Sequence, residues 1–339
     1  MRRRDLLVLG LCYPALAFSE VKYPKVTSNH SFSFPRDHGA HPDFRQEWWY
    51  VTGWLRTGRG EDLGFQITFF RSKLNIENSN PSAFTPRQVI LAHAALCDPR
   101  HGRLRHDERA ARTALGLAGS SEDTTRVWVD NWSLELLEQK YRARIEARDF
   151  SFDLEFNAKN KPLLQGDSGF SRKGNRPEEA SYYYSRPQLS VKGTANGTPV
   201  TGSAWLDHEW SSQYMAVGAT GWDWCGINLD GGGSLMAFRM RGKDGKTQFA
   251  PPGVSFEPLR TWKSPRTGVA YPVAMKVRTK DGAHLSELRL EPLMDDQELD
   301  VRASSGTIYW EGAVRALQGE KQVGRGYLEL TGYWRPMKL

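Results

Sequence analysis

The sequence predicts an all-β chain made of two β-barrels in tandem, and three features point to this. The first is an internal likeness. EWWYVTGWLRTGRGEDLGFQITFFR, Glu47 to Arg71, has a rough copy in GWDWCGINLDGGGSLMAFRMR, Gly221 to Arg241. Each opens on paired or alternate Trp, passes through Gly, turns at a Gly-rich tip and returns apolar, ending near Phe and Arg, which is the chemistry of a β-hairpin. A recurrence roughly 170 residues later indicates two related units. The second feature is period-2 alternation: Trp132, Leu134, Leu136; then Tyr141, Ala143, Ile145, Ala147; then Phe150, Phe152, Leu154, Phe156. The third is dense turn punctuation at Asp98-Pro99, Asn196-Gly197, Asp230-Gly231, Asp244-Gly245 and Asp281-Gly282. Many short strands at this spacing suit barrels of about eight to ten strands each.

The elements follow in order. Residues 1–18 read as a signal peptide. MRRRD is a basic start, LLVLGLCYPALAF a short apolar run, and Ala15-Leu16-Ala17 a small-residue cleavage site. The paired Arg3-Arg4 also fits a twin-arginine signal. Leu11 before Cys12 disfavours a lipoprotein anchor. The expected location is therefore the periplasm or the medium. No later apolar run is long enough for a transmembrane helix. The first unit is expected over 28–218 and the second over 219–339, with the boundary near Val217 to Gly221. One helix is expected, over Glu108 to Ala118. Cys97 and Cys225 each sit in a strand-like run; two buried thiols are the default expectation and a disulfide the alternative.

At 339 residues the chain has room for two cores. The formal charge of +7 is spread among 39 acidic residues, so it forms no evident patch. With no nucleic-acid-binding motif either, no nucleic-acid partner is expected. No nucleophile elbow, phosphate loop or dinucleotide fingerprint is present. Asp37-His38 and His41-Pro42-Asp43 offer metal-ligand types without a visible supporting shell, and no metal is expected.

The densest polar cluster is AWLDHEW, Ala204 to Trp210. On a strand, Asp207 and Glu209 point one way and Leu206, His208 and Trp210 the other. One reading makes Asp207, His208 and Glu209 catalytic, with His208 and Trp210 in an apolar pocket beside an acid that donates a proton. The other makes them a structural network that ties the two units together. Glu47 poses the same choice: a buried acid, or a partner for Arg71. It shares a face with Trp49 and Val51. Trp48, Tyr50 and Trp54 share the other face, so one face lines a barrel and the other serves an interface. Tyr182-Tyr183-Tyr184 reads as core and rim, with Tyr184 a candidate ligand contact. The Trp-rich walls, Trp48, Trp49, Tyr50, Trp210, Trp222 and Trp224, point to an apolar ligand, expected in a cavity inside at least one barrel.

HPDFRQEWWYVTGWL, GFQITFFR, AHAALCD, LLQGDSGFSRKG, ASYYYSRPQLSVKGT, GSAWLDHEW, GWDWCGINL, YWEGAV and GRGYLELTGYW together resemble the AttH-like and carotenoid 1,2-hydratase-like family of secreted proteins. The resemblance implies two tandem lipocalin-like (calycin) β-barrels. It also implies one of two functions. One is a non-catalytic carrier of an apolar, isoprenoid or lipid ligand, associated with an export or ABC-transporter system. The other is a hydratase or isomerase that needs no cofactor and adds water to a prenyl or carotenoid double bond. In those hydratases a His-x-Trp pair after an Asp is implicated, which maps onto Asp207, His208 and Trp210. The hydratases also carry a Tyr and an acid on a following strand, and Leu235 to Arg241, LMAFRMR, has neither. A carboxyl acting as proton donor at neutral pH needs its pKa raised by roughly 3 units, which burial supplies. Aromatic faces then steady the resulting cation.

Overall fold

A computed structural model describes residues 22–75, 85, 87–281 and 284–337. The expected leader, residues 1–18, lies outside them. Two antiparallel sheets hold most of the described chain, and its one named helix is a short 3-10 turn at Arg36–His38. No helix of the described residues is long and apolar enough to cross a membrane.

The first sheet holds thirteen strands: β1 (Gln46–Thr57), β2 (Asp62–Lys73), β3 (Gln88–Cys97), β4 (Arg105–Arg112), β5 (Ala118–Ser120), β6 (Arg126–Val129), β7 (Trp132–Leu137), β8 (Lys140–Glu146), β9 (Ser151–Asn157), β10 (Leu163–Leu164), β11 (Phe170–Arg172), β12 (Ala180–Ala195) and β13 (Thr198–Gln213). Their order is β4-β3-β2-β1-β13-β12-β9-β8-β7-β6-β5, with β10 and β11 on β12. The two ends of this order approach each other, so the sheet curls into a nearly closed barrel. The second sheet holds nine: β14 (Ala219–Leu229), β15 (Ser234–Gly242), β16 (Thr247–Phe249), β17 (Ser255–Lys263), β18 (Ala270–Asp281), β19 (His284–Pro292), β20 (Glu298–Val301), β21 (Thr307–Gln318) and β22 (Lys321–Leu330). It runs β16-β15-β14-β22-β21-β19-β18-β17, a half-barrel, with β20 on β21. The fold is all-β and consists of two lipocalin-like units.

The two Trp-rich hairpins occupy corresponding places. Each supplies the first strand of its sheet, and that strand pairs both with its hairpin partner and with the last strand of the same sheet: β1 with β2 and β13, β14 with β15 and β22. Trp49 and Trp224 are buried.

Alternation divides the apolar residues between two surfaces. Trp49, Val51, Phe65, Ile67, Phe69, Leu206 and Trp210 fill the first barrel. Cys225, Ile227, Trp310, Val314, Leu328 and Leu330 fill the concave side of the second sheet. The opposite faces of these same strands meet each other: Tyr50, Trp54 and Trp205 pack on Trp224, Phe238, Met240, Ala313 and Tyr327. The approach is close enough that a Cβ on Gly64 would lie 2.6 Å from the Ala313 Cβ.

Two sequence expectations change here. Glu108 to Ala118 is not helical; its first half belongs to β4, which pairs with β3 from Leu96↔Arg105 to Val89↔Arg112. The buried apolar strand β3 needs a partner on that side, and Asp107, held by Arg109 and Arg148, fixes the edge. Long-range pairing has overridden helix propensity. Of the two readings for the cysteines, the structure takes the default: Cys97 and Cys225 are both free and buried.

Candidate functional site between the two sheets

The interior of the first barrel is packed with buried apolar side chains. Its mouth is closed by the segment from His30 to Phe44, which packs on Tyr182, Tyr184 and Trp210. Beneath that segment lies a fully buried charge cluster. Glu47 accepts from Arg71 Nε at 2.8 Å through Oε2 and meets His41 Nδ1 and His208 Nε2, each at 2.8 Å, through Oε1. Arg71 also donates Nη2 to the carbonyls of His41 and Phe44. Burial works to raise the Glu47 pKa, but the Arg71 and His41 charges and these hydrogen bonds hold it well below the ordinary carboxylate value. With Glu47 ionised, His208 donates from Nε2, so its Nδ1, 3.1 Å from Tyr184 Oη, accepts from that hydroxyl. Burial lowers the His208 pKa, and the ring is neutral. Trp49 stacks on His208 at 4.8 Å and His41 on Trp210 at 3.7 Å.

Among the described residues, His41, Glu47 and His208 are the one trio whose ligand atoms come within 4.8 Å of one another. The Arg71 guanidinium already balances Glu47 there, and both carboxylate oxygens are taken by donors. The trio therefore serves as a salt-bridged plug of the barrel.

The cavity lies instead between the two sheets, with a volume of about 620 Å³. The sequence led to a cavity inside a barrel; this one lies on the outer face of the first sheet. The physical reason is that the outer face of β1 and β13 meets the second sheet rather than water, so large apolar residues occupy both faces. Trp48, Tyr50, Phe70, Tyr183 and Tyr214 line it from the first sheet and Trp222, Trp224, Phe238, Met240 and Tyr309 from the second.

Two rows of polar groups face each other across it. On the first sheet Tyr50 pairs in register with Asp207, and Asp207 with Ser185. Asp207 accepts from Tyr183 Oη at 2.8 Å, Ser185 Oγ at 2.5 Å and Trp205 Nε1 at 2.6 Å. Burial raises its pKa to about 7 against the lowering effect of those donors. Two residues on, Glu209 forms an ion pair with Lys173 at 2.8 Å and accepts from Ser181. The Lys173 ammonium lies 4.3 Å from the centre of the Phe238 ring on the opposite sheet. On the second sheet Trp224, Glu329 and Glu311 form one cross-strand row. Trp222 donates Nε1 to Glu329 Oε2 at 2.7 Å, and Tyr50 reaches across to donate to Glu311 Oε1. Burial lifts Glu329 to about 7 and Glu311 well above the carboxylate range, and in both cases nearby carboxylates add to the shift.

The site residues expected from sequence therefore divide. Asp207, Glu209, Glu47, Trp48, Tyr50, Trp222 and Trp224 come together around the cavity. His208, Trp49, Trp210 and Tyr184 do not; strand alternation turns them into the closed barrel, where they steady Glu47. His208 bonds there to Glu47 and Tyr184 and does not border the cavity between the sheets. Glu47 pairs with Arg71, one of the two options the sequence left open. Sequence reasoning missed Lys173, Glu311 and Glu329. The signal for the last two was a lone carboxyl inside an otherwise apolar strand, in YWEGAV and GYLEL. LMAFRMR on β15 supplies Phe238 and Met240 to the cavity wall, and the acids come from β21 and β22.

Comparison with known proteins bears on the whole fold. The AttH-like family profile matches residues 25–333. The crystal structure of an AttH from Nitrosomonas europaea shares 48% identity over 91% of this chain and 99% of that one, with a TM-score of 0.84. Kievitone hydratase from Nectria haematococca superposes over 93% of this chain and 99% of that chain with a TM-score of 0.60 at 16% identity, which is a likeness of fold. No curated protein sequence matches. That profile spans both sheets, and the chain belongs to the AttH-like family.

Proposed function

We propose that this protein binds a neutral, apolar, unsaturated small molecule of isoprenoid or lipid type in the cavity between its sheets, and that buried carboxyl groups there protonate the double bond so that water adds. One observation carries this reading. An aromatic-walled cavity of about 620 Å³ brings together Asp207, Glu311 and Glu329, all with raised proton affinity. A carboxylic acid that stays protonated near neutral pH is the reagent that hydration of an alkene requires. The rings of Trp48, Trp222 and Trp224 offer their faces to a transient cation. No cofactor enters the step. The fold also carries a hydratase in the fungal structural relative. The basic, apolar leader of residues 1–18 supports export to the periplasm or beyond.

Non-catalytic carriage of the same ligand is the second reading. It is favoured by the enclosure of His208, which takes the motif implicated in hydration out of the cavity. Titration with geranylgeraniol, followed by Trp emission, tests the shared part. Saturable quenching that weakens at least tenfold in Trp224→Ala, about 1.4 kcal/mol, is expected. Absence of any saturable change would remove the apolar-ligand reading in both forms.

A further inference from the structure

We propose that Glu311 and Glu329 form a dyad in which Glu311 is held as the carboxylic acid, and that Glu311 delivers the proton to the bound ligand through its free oxygen. The proposal rests on the reading of the intersheet cavity as the ligand site, and it identifies the donor that the LMAFRMR strand lacks.

Geometry is the ground for it. Glu311 and Glu329 are directly opposite each other on β21 and β22, so both side chains leave the same face of the sheet from neighbouring positions. Both line the cavity. Two carboxyl groups this close in a low-dielectric site do not both ionise. The pair is not neutralised by a cation: Glu329 receives Trp222 Nε1, and Glu311 receives the Tyr50 hydroxyl at Oε1. Asp207, Glu209 and Asp223 disfavour a negative charge on Glu329 further, and Tyr50 and Tyr309 also face the pair; the cations on the cavity lining, Arg71, Lys173 and Arg335, form no ion pair with either acid among the described residues. One oxygen is left over. Glu311 Oε2 is buried and has no hydrogen-bond partner. A buried carboxyl oxygen without a partner is costly unless it serves another group. Glu311 itself borders the aromatic cavity, so this oxygen lies just behind the wall a ligand would meet.

The step balances with water alone. The O–H bond of Glu311 breaks and its electron pair stays on the carboxylate. The alkene π pair forms a new C–H bond at the less substituted carbon, which leaves the cation at the more substituted carbon. Water forms the C–O bond there, and the proton it loses returns to the dyad. Tyr50 is a positioning residue, since its hydroxyl occupies Oε1 and leaves Oε2 for the ligand. The dyad also sets a substrate class. Against these two acids a carboxylate or phosphate is disfavoured and a neutral alkene is accepted.

The test has two parts. Infrared spectra at neutral pH are compared between the wild-type protein and Glu311→Gln, with melting temperature as the check on folding. The wild type is expected to show the carbonyl stretch of a protonated carboxylic acid, sensitive to D₂O, that Glu311→Gln loses. An unchanged band in that variant overturns the dyad whatever the ligand proves to be. Deuterium entry into geranylgeraniol from D₂O, read by NMR, then tests proton transfer. Glu311→Gln is expected to slow it about 100-fold or more, while quenching by the same alcohol stays within threefold of wild type. Normal exchange in Glu311→Gln overturns the assignment. If the band is lost but the wild type exchanges no deuterium into bound geranylgeraniol, proton transfer is overturned and apolar binding stands.

Discussion

Asp207 and His208 are consecutive in the chain and share no surroundings. Asp207 faces the cavity between the sheets, held by Tyr183, Ser185 and Trp205. His208 faces the closed barrel, between Glu47 and Tyr184. One motif therefore serves two purposes, and substitution separates them.

His208→Ala is expected to cost about 3 kcal/mol, from the orphaned Glu47 and Tyr184 atoms and the space left beside Trp49. Ligand-induced quenching per folded molecule should be unchanged. Asp207→Asn should alter ligand affinity or turnover at nearly native stability. Calorimetry together with fluorescence titration distinguishes the two. Equal loss of binding in His208→Ala would show that the barrel interior and the cavity are coupled.

Glu47 makes the fold sensitive to acid. Its pKa is lower in the folded state than in the unfolded chain, so the folded state is favoured above the ordinary carboxyl value and loses that advantage as pH falls through the depressed value. His41 is the opposite case. Its raised pKa gives stability that is full below the ordinary imidazole value and declines as pH rises through the folded one. Glu47→Gln should remove the acid-side slope in urea unfolding between about pH 5 and 3, and lower stability at neutral pH by about 3–5 kcal/mol through the unpaired Arg71. A parallel slope in the variant would assign the acid sensitivity elsewhere.

Asp207 and Glu329 give the reverse trend. Their folded pKa values, each about 7, lie above the ordinary carboxyl range, so the folded state binds more protons than the unfolded one in between. Stability contributed by the protonated forms therefore falls as pH rises from about 4 towards 7. Glu329→Gln should be more stable than wild type at pH 8, by about 2–3 kcal/mol, with little difference near pH 4. Chemical denaturation at the two pH values checks this, and a pH-independent difference would contradict it.

Cys97 and Cys225 are buried and free, and burial pushes their thiols up, Cys225 to about 12. Neither should react with a thiol reagent in the native state, and both should react in denaturant. An unchanged melting temperature with added reductant completes the test, and a fall on reduction would indicate a bridge.

The strands and the faces they present were legible because alternation is a local property. Glu47 with Trp49 against Trp48 with Tyr50, and Asp207 with Glu209 against His208 with Trp210, are assigned to opposite faces by residue spacing alone. What spacing cannot say is which face is the inside. Both faces of β1 and β13 carry aromatic residues, so the motif with the imidazole looked like the pocket. The second sheet, placed over the outer face by contacts such as Tyr50–Glu311 and His93–Tyr309, makes that outer face a wall of the cavity. Glu311 and Glu329 were illegible for the same reason, since nothing near them in sequence names the residues they meet. The Glu108 to Ala118 error is related. Its helical composition yields to β3, which lies earlier in the chain and needs an edge.

The pairing of first and last strands in each sheet also governs when the site comes into being during synthesis. Asp207 and Glu209 sit on β13, and Glu329 sits on β22, each the closing strand of its sheet. The bond from His208 to Glu47 joins residues 161 apart, so β1 waits for most of its unit to leave the ribosome before it gains its second neighbour. Topology of this kind folds slowly. Until each sheet closes, its acids remain in water with ordinary acidity. The acids of the cavity therefore leave water only when both halves are complete and docked.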